Sequence, residues 1–273
     1  METNIRAGLR GPTQYPELNT VLETLTARAR DILGAALVGA YLQGSFALGD
    51  WAEHSDVDFL VVTESELSDD ALEALQAMHK EIYALPSAWA QHLEGSYFSR
   101  ATLASSDMDA QLWYLDNGSQ HLVQSTHCNT LVVRWTTREH GIALFGPDPK
   151  TLIPPVSSEA LRAEVRGVMR EWGAEIVKRR FDSRWYQQFV VLSYARMLHT
   201  LETGAVHSKR AGTVWAQANL EPQWSALIET AAQEHPRQRD NYVRSADLEA
   251  VTQTLAFVQY ALKLEPSLPR AQE

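Results

Sequence analysis

The chain has 273 residues, 45% of them hydrophobic, with a formal net charge of −10 and a single cysteine, Cys128. That length holds two modest domains or one large one, the lone cysteine excludes an internal disulfide and a cysteine-rich zinc site, and the acidic balance argues against a protein that grips nucleic acid through basic patches. The opening stretch METNIRAGLRGPTQYP lacks the apolar core of a signal peptide, and no run approaches a membrane span, so the expectation is a cytoplasmic protein with neither nucleic acid nor membrane as partner.

From Glu17 to Gly34, Leu18, Val21, Leu22, Leu25, Ala29 and Ile32 recur at helical spacing, and Gly34 can end the helix. Leu37–Leu42 and Phe59–Val62 are short apolar runs that read as buried strands. Ser68 opens a second helix with Leu72, Leu75, Met78 and Ile82 on one face, closed by Pro86. Ala90–Phe98 reads as a third strand, while Thr130–Trp135 and Ile142–Phe145 are apolar segments of undecided type. Pro147, Pro149, Pro154 and Pro155 make a stiff, helix-breaking stretch. A boundary there divides the chain into residues 1–153 and 154–273. Beyond it the pattern is helical over Glu159–Phe181, Trp185–Thr203, Ser208–Asn219, Pro222–Gln233 and Ser245–Leu264, with a frayed tail from Glu265. The fold class expected is an α/β N-terminal domain on a small mixed sheet, followed by an all-α helical bundle.

The chemistry concentrates in GSFALGDWAEHSDVDFLVV, residues 44–62. Gly44-Ser45 follows the first strand, where a turn into a helix places backbone N–H groups and a hydroxyl beside an anion. Ten residues later Asp56 and Asp58 open the second strand. Alternate residues of a strand share a face, so the two carboxylates point the same way. Side by side they repel unless a cation lies between them. A hard, oxygen-liganded dication that travels with phosphates, Mg²⁺, answers that need. Taken singly, an Asp-x-Asp or a Gly-Ser turn is commonplace; their fixed spacing between two buried strands is what points to a nucleotide site.

This GS-x10-DxD pattern resembles the polymerase-β-like nucleotidyltransferases. With His54-Ser55 before the aspartates it is similar to the aminoglycoside adenylyltransferases of the streptomycin/spectinomycin (3'')(9) type. The resemblance continues through Arg138-Glu139-His140-Gly141-Ile142-Ala143-Leu144-Phe145-Gly146-Pro147, Leu201-Glu202-Thr203-Gly204, Ser208-Lys209-Arg210 and Trp215-Ala216. It implies an enzyme that transfers AMP from ATP to a hydroxyl of a small, cationic, aminoglycoside-like acceptor and releases pyrophosphate.

In such an enzyme Gly44, Ser45 and Ser55 would sit at the nucleotide, and Asp56 and Asp58 would hold two Mg²⁺ ions. A third carboxylate should come from a neighbouring strand. Glu94, in His92-Leu93-Glu94-Gly95-Ser96, matches the family's general base, which also touches metal. Lys209 and Arg196 match positions that face nucleotide phosphates, so ATP is expected to bridge the two domains. Asp182 matches an acidic residue that contacts the drug. Of the tryptophans, Trp113, Trp172, Trp185, Trp215 and Trp224 are read as core rather than ligand walls, and Cys128 as a small core residue. Two other functions fit the same motif: an enzyme that modifies a protein hydroxyl, of toxin or antitoxin type, and a nucleotide sensor without catalysis. The long second domain counts against the first, and the presence of three carboxylates against the second.

Overall fold

The computed structural model describes residues 11–51, 55–178, 183–234, 245 and 247–268. The chain divides into two compact units, the first running to Pro155 and the second taking up from Val156.

The first unit is built on a six-stranded sheet. Helix α1, Pro16–Leu33, begins with proline at its first turn, where a missing N–H costs nothing, and buries Leu18, Val21, Leu22, Leu25 and Ala29. Strand β1, Leu37–Leu42, leads through the one-turn helix α2, Gly44–Ala47, to β2, Val57–Thr63. Helix α3, Asp69–Tyr83, is N-capped by the Ser68 side chain and carries the chain over to β3, Leu93–Ser99. A short helix α4, Arg100–Ala104, precedes the hairpin of β4, Leu112–Leu115, and β5, Leu122–Ser125. Helix α5, Leu131–His140, then leads to β6, Ile142–Phe145. The strand order is β5-β4-β3-β2-β1-β6. The β2–β3 pair, joined through α3, is parallel, and the other pairs are antiparallel.

Period-2 alternation sorts the strand residues onto two faces. Val57, Phe59 and Val61 pack with Leu18, Leu22 and Leu25 of α1 and Leu75, Met78 and Ile82 of α3. Leu60, Val62 and Phe98 pack with Tyr41, Leu103, Leu112 and Ile153 on the other side. Asp58, two residues before Leu60, therefore faces away from α1 and α3, and so does Glu94, four residues before Phe98.

The second unit is helical: α6, Ser158–Lys178; α7, Arg184–Thr203; α8, Lys209–Asn219; α9, Ser225–Glu234; and α10, Leu248–Leu264. The most deeply buried is α7, with Val190, Val191, Tyr194, Ala195, Leu198 and Leu201 in the core. The expected mixed-sheet α/β unit followed by a helical unit is therefore what the chain forms.

Several local expectations needed correction. The third strand begins at Leu93, because Ala88–Gln91 winds into a 3₁₀ turn after Pro86. The undecided segment 130–135 starts a helix, since the Thr130 hydroxyl accepts from Val133 N at 3.1 Å and caps it. The C-terminal residues from Glu265 are not frayed at their start. Glu265 is 1% exposed and takes Arg166 Nε at 2.7 Å and Arg170 Nη2 at 2.8 Å. Among the described residues no helix is long and apolar enough to cross a membrane.

Candidate active site

Asp58 and Glu94 are direct partners across the parallel β2–β3 pair. Parallel strands in register place equivalent residues side by side, about 4.8 Å apart, with side chains on one face. Asp56 lies two residues before Asp58, just outside β2. The spacing in the sequence thus becomes a row of carboxylates at one end of the two strands.

Gly44 closes this row from the side of β1. Its φ is +61°, and a Cβ built on it would lie 1.9 Å from Asp58 Oδ2 and 2.5 Å from Asp58 Cγ. Only glycine leaves room for that carboxylate and tolerates that backbone. The backbone ties the same two segments together, with Gln43 N donating to Asp58 O at 2.8 Å. The Gly44 N–H, expected to point free toward an anion, instead donates to the side-chain Oε1 of Gln43 at 3.1 Å. Ser45 follows in the single turn of α2, and Ser55, half-buried, lies beside Asp56.

The hairpin β4–β5 contributes side chains that the sequence had not singled out. Tyr114 Oη lies 2.8 Å from Glu94 Oε1 and 2.9 Å from Asp116 Oδ1. Burial, and then the charge of Glu94, push the Tyr114 hydroxyl well above its ordinary pKa, so it stays protonated. Asn117 Nδ2 donates to Asp56 Oδ1 at 2.5 Å, and Asn117 Oδ1 lies 3.0 Å from His92 Nδ1. His127 packs its ring on Tyr114, 5.1 Å between centroids, and brings Nε2 to 3.6 Å from Glu94 Oε1. The hydrogen bond to Glu94 raises the His127 pKa against the opposing effect of burial. Cys128 is buried, and burial pushes its thiol up to about 12, as expected of a core residue.

With Glu94 turned to Tyr114 and His127, and Asp56 to Asn117, the three carboxylates do not close on one point. Among the described residues no three aspartate, glutamate, histidine or cysteine side chains are grouped to hold a metal ion. The expectation that all three converge is corrected to this extent: Asp58 and Glu94 are neighbours in register, but the Glu94 carboxylate is engaged by Tyr114 and His127 and that of Asp56 by Asn117.

In the second unit, Lys209 is the first residue of α8, and its Nζ lies 4.7 Å from the centroid of the Phe189 ring. Arg196 lies on α7, seven residues beyond Phe189 and so two turns along the same face, and is half-buried. Trp172, Trp185, Trp215 and Trp224 are each half-buried rather than fully in the core. Trp113, in the first unit, is likewise half-buried. Asp182 and His54 lie outside the described residues.

Two family models match the chain. Residues 23–109 match the nucleotidyltransferase domain, and residues 151–262 match the C-terminal domain of aminoglycoside adenylyltransferase. The chain thus carries a nucleotidyltransferase domain followed by a match to the C-terminal domain of aminoglycoside adenylyltransferase. Similar curated proteins include a spectinomycin 9-adenylyltransferase of Staphylococcus aureus, 26% identical over 78% of this chain and 83% of that protein. An aminoglycoside (3'') (9) adenylyltransferase of Shigella flexneri is 24% identical over 89% of this chain and 93% of its own length. A crystal structure of a spectinomycin adenyltransferase from Enterococcus faecialis, with ATP and spectinomycin, superposes with a TM-score of 0.71. At 16% identity, and covering 89% of this chain and 98% of that one, it shows a shared fold. The stretch from Gly44 to Glu94 falls inside the nucleotidyltransferase match, while Arg138–Pro147 lies beyond it.

Proposed function

We propose that this protein transfers AMP from ATP to a hydroxyl of a small aminoglycoside-like acceptor and releases pyrophosphate. The observation that carries the proposal is the pairing of Asp58 with Glu94 beside the gap at Gly44, inside a matched nucleotidyltransferase domain. The names of the curated relatives support the acceptor class.

The residues present fit a divalent magnesium site. Every donor offered by Asp56, Asp58 and Glu94 is a carboxylate oxygen, the ligand type a hard dication prefers. Gly44 leaves the Asp58 carboxylate unobstructed by a side chain. Asp56 and Asp58 would hold Mg²⁺, with Glu94 as a third ligand. When bound, two such ions neutralise charge building on the α-phosphate and on the departing pyrophosphate.

The protein's own residues supply the rest. Glu94 takes the proton of the acceptor hydroxyl as the oxygen attacks the α-phosphorus in line with the leaving pyrophosphate. Tyr114 Oη and His127 Nε2 both approach Glu94 at Oε1. Gly44, Ser45 and Ser55 position the nucleotide. Lys209 and Arg196 are assigned to its phosphates, on the resemblance of their positions to phosphate-facing ones in the family. Asp182 is assigned to the acceptor on the same ground. The net acidic charge favours a cationic acceptor.

The test is a pyrophosphate-release screen with ATP and Mg²⁺ over spectinomycin, streptomycin and other aminoglycosides, followed by mass spectrometry of the acceptor. One added AMP on an acceptor hydroxyl is the expected result. ATP binding without pyrophosphate release across the panel would defeat the proposal in favour of a sensor. A labelled protein band in lysate would point instead to a protein hydroxyl.

A further inference from the structure

Tyr114 stands between two carboxylates, 2.8 Å from Glu94 Oε1 and 2.9 Å from Asp116 Oδ1. Both distances are those of full hydrogen bonds. A phenol has one hydrogen, so it donates to one of the two at a time. Tyr114 is 5% exposed, and water cannot readily replace a lost partner there. The arrangement is thus a hydroxyl with two alternative acceptors, one of which is the general base of the proposed reaction.

The backbone already places Glu94 beside Asp58, as register partners on β3 and β2. A rotation of the Glu94 side chain brings its carboxylate to Asp58 without moving either strand. Glu94 Oε1 is engaged by the Tyr114 hydroxyl of β4 and approached by His127 Nε2, just past β5, at 3.6 Å. If Glu94 leaves, Tyr114 still has Asp116 at bonding distance, so the departure leaves no buried hydroxyl without an acceptor.

We propose that Tyr114 is a positioning residue for Glu94: it holds the carboxylate apart from Asp58 in the free protein and passes its hydrogen bond to Asp116 when Glu94 turns to join Asp56 and Asp58. The proposal rests on the reading that these three carboxylates bind divalent ions with a nucleotide. Asp116 takes no part in the chemistry. It serves as the receiver that lets Tyr114 release Glu94 at little cost.

The test is Mn²⁺ binding to the full chain, followed by electron paramagnetic resonance, in the presence of a non-hydrolysable ATP analogue. In Asp116→Ala the phenol has only Glu94 left, and releasing it strands a buried hydroxyl. Mn²⁺ affinity is expected to fall about tenfold. Tyr114→Phe binds Mn²⁺ at least as tightly as the wild type. The double variant Tyr114→Phe/Asp116→Ala returns to the level of Tyr114→Phe, because the hydroxyl that needed a receiver is gone. Asp116→Asn, which keeps an acceptor oxygen, stays within about threefold of the wild type and covers the case in which Asp116→Ala fails to fold.

Unchanged affinity in Asp116→Ala overturns the proposal. So does a double variant as weak as Asp116→Ala alone, which would make Asp116 a metal ligand or a structural support. Wild-type protein that binds no Mn²⁺ with the analogue fails the functional reading itself, and the handover with it. Wild-type binding with all variants alike fails the handover alone.

Discussion

Gly44→Ala, set against Gly34→Ala, separates backbone strain from damage to the carboxylate row. Both glycines have positive φ, +61° and +53°, where an alanine is strained at a cost of about 1–3 kcal/mol. Gly34 ends α1, and a Cβ there meets nothing within 4 Å. At Gly44 the added Cβ would lie 1.9 Å from Asp58 Oδ2 and 2.9 Å from Asp58 Cβ, so Asp58 or the turn must shift by more than an ångström to reach ordinary contact. A misplacement of that size at a reacting centre costs about 100-fold in rate. Urea unfolding should therefore show similar losses of stability in the two variants. Pyrophosphate release should fall at least about 100-fold in Gly44→Ala and stay near wild type in Gly34→Ala. Equal activities in two folded variants would refute the reasoning, because the clash with Asp58 would then have no consequence for the chemistry.

Asp58→Asn should abolish turnover while the thermal melt stays cooperative; turnover within a few-fold of wild type would remove Asp58 from the mechanism. Glu94→Gln should lose about 100-fold or more in turnover yet still bind ATP in a calorimeter, as expected for loss of a base. His79, buried against Phe59 and Tyr97, has its pKa lowered to about 3 by burial, against 6.5 for the free side chain. Between those values the unfolded chain binds the extra proton, so stability falls as pH drops from about 6.5 and is fully present above it. His79→Gln should flatten that slope by up to about 1.4 kcal/mol per pH unit in urea unfolding at pH 7, 6 and 5, and an unaltered slope would contradict the assignment. Glu265→Ala leaves Arg166 without its buried carboxylate and should cost about 3 kcal/mol of stability; a loss below about 0.5 kcal/mol would show that the C-terminal turn is not anchored there.

Much of the first unit was legible because its elements keep one period throughout. The α1 face of Leu18, Val21, Leu22 and Leu25, and the β1 run LVGAYL, offer no competing pattern. The boundary of β3 was misplaced because AWAQ, after Pro86, is as apolar as a strand but winds into a 3₁₀ turn. Leu131-Val132-Val133 has strand-like composition, yet the Thr130 cap and the following polar residues make it helix. Strands β4 and β5 went unread. Each is four residues long, and β5 keeps only Leu122 buried.

That omission also hid half of the site. Asp56, Asp58 and Gly44 are close in sequence and announce themselves by spacing. Tyr114, Asp116, Asn117 and His127 reach the carboxylates only through the pairing of β3 with β4 and of β4 with β5. Nothing local in WYLDN distinguishes a tyrosine that meets Glu94 from one that packs in a core. A single sequence carries the spacing of Gly44, Asp56 and Asp58, and the tertiary pairing decides which other side chains meet those carboxylates.

The central claim is that the carboxylates of Asp56, Asp58 and Glu94 share divalent ions with a nucleotide. Crystals grown with Mn²⁺ and a non-hydrolysable ATP analogue test it most directly through anomalous diffraction. The account predicts Mn²⁺ peaks bridging Asp56 and Asp58 to the phosphates, with Glu94 turned toward them. Nucleotide bound with the anomalous peaks elsewhere, or with Glu94 still on Tyr114 in the loaded site, would contradict it.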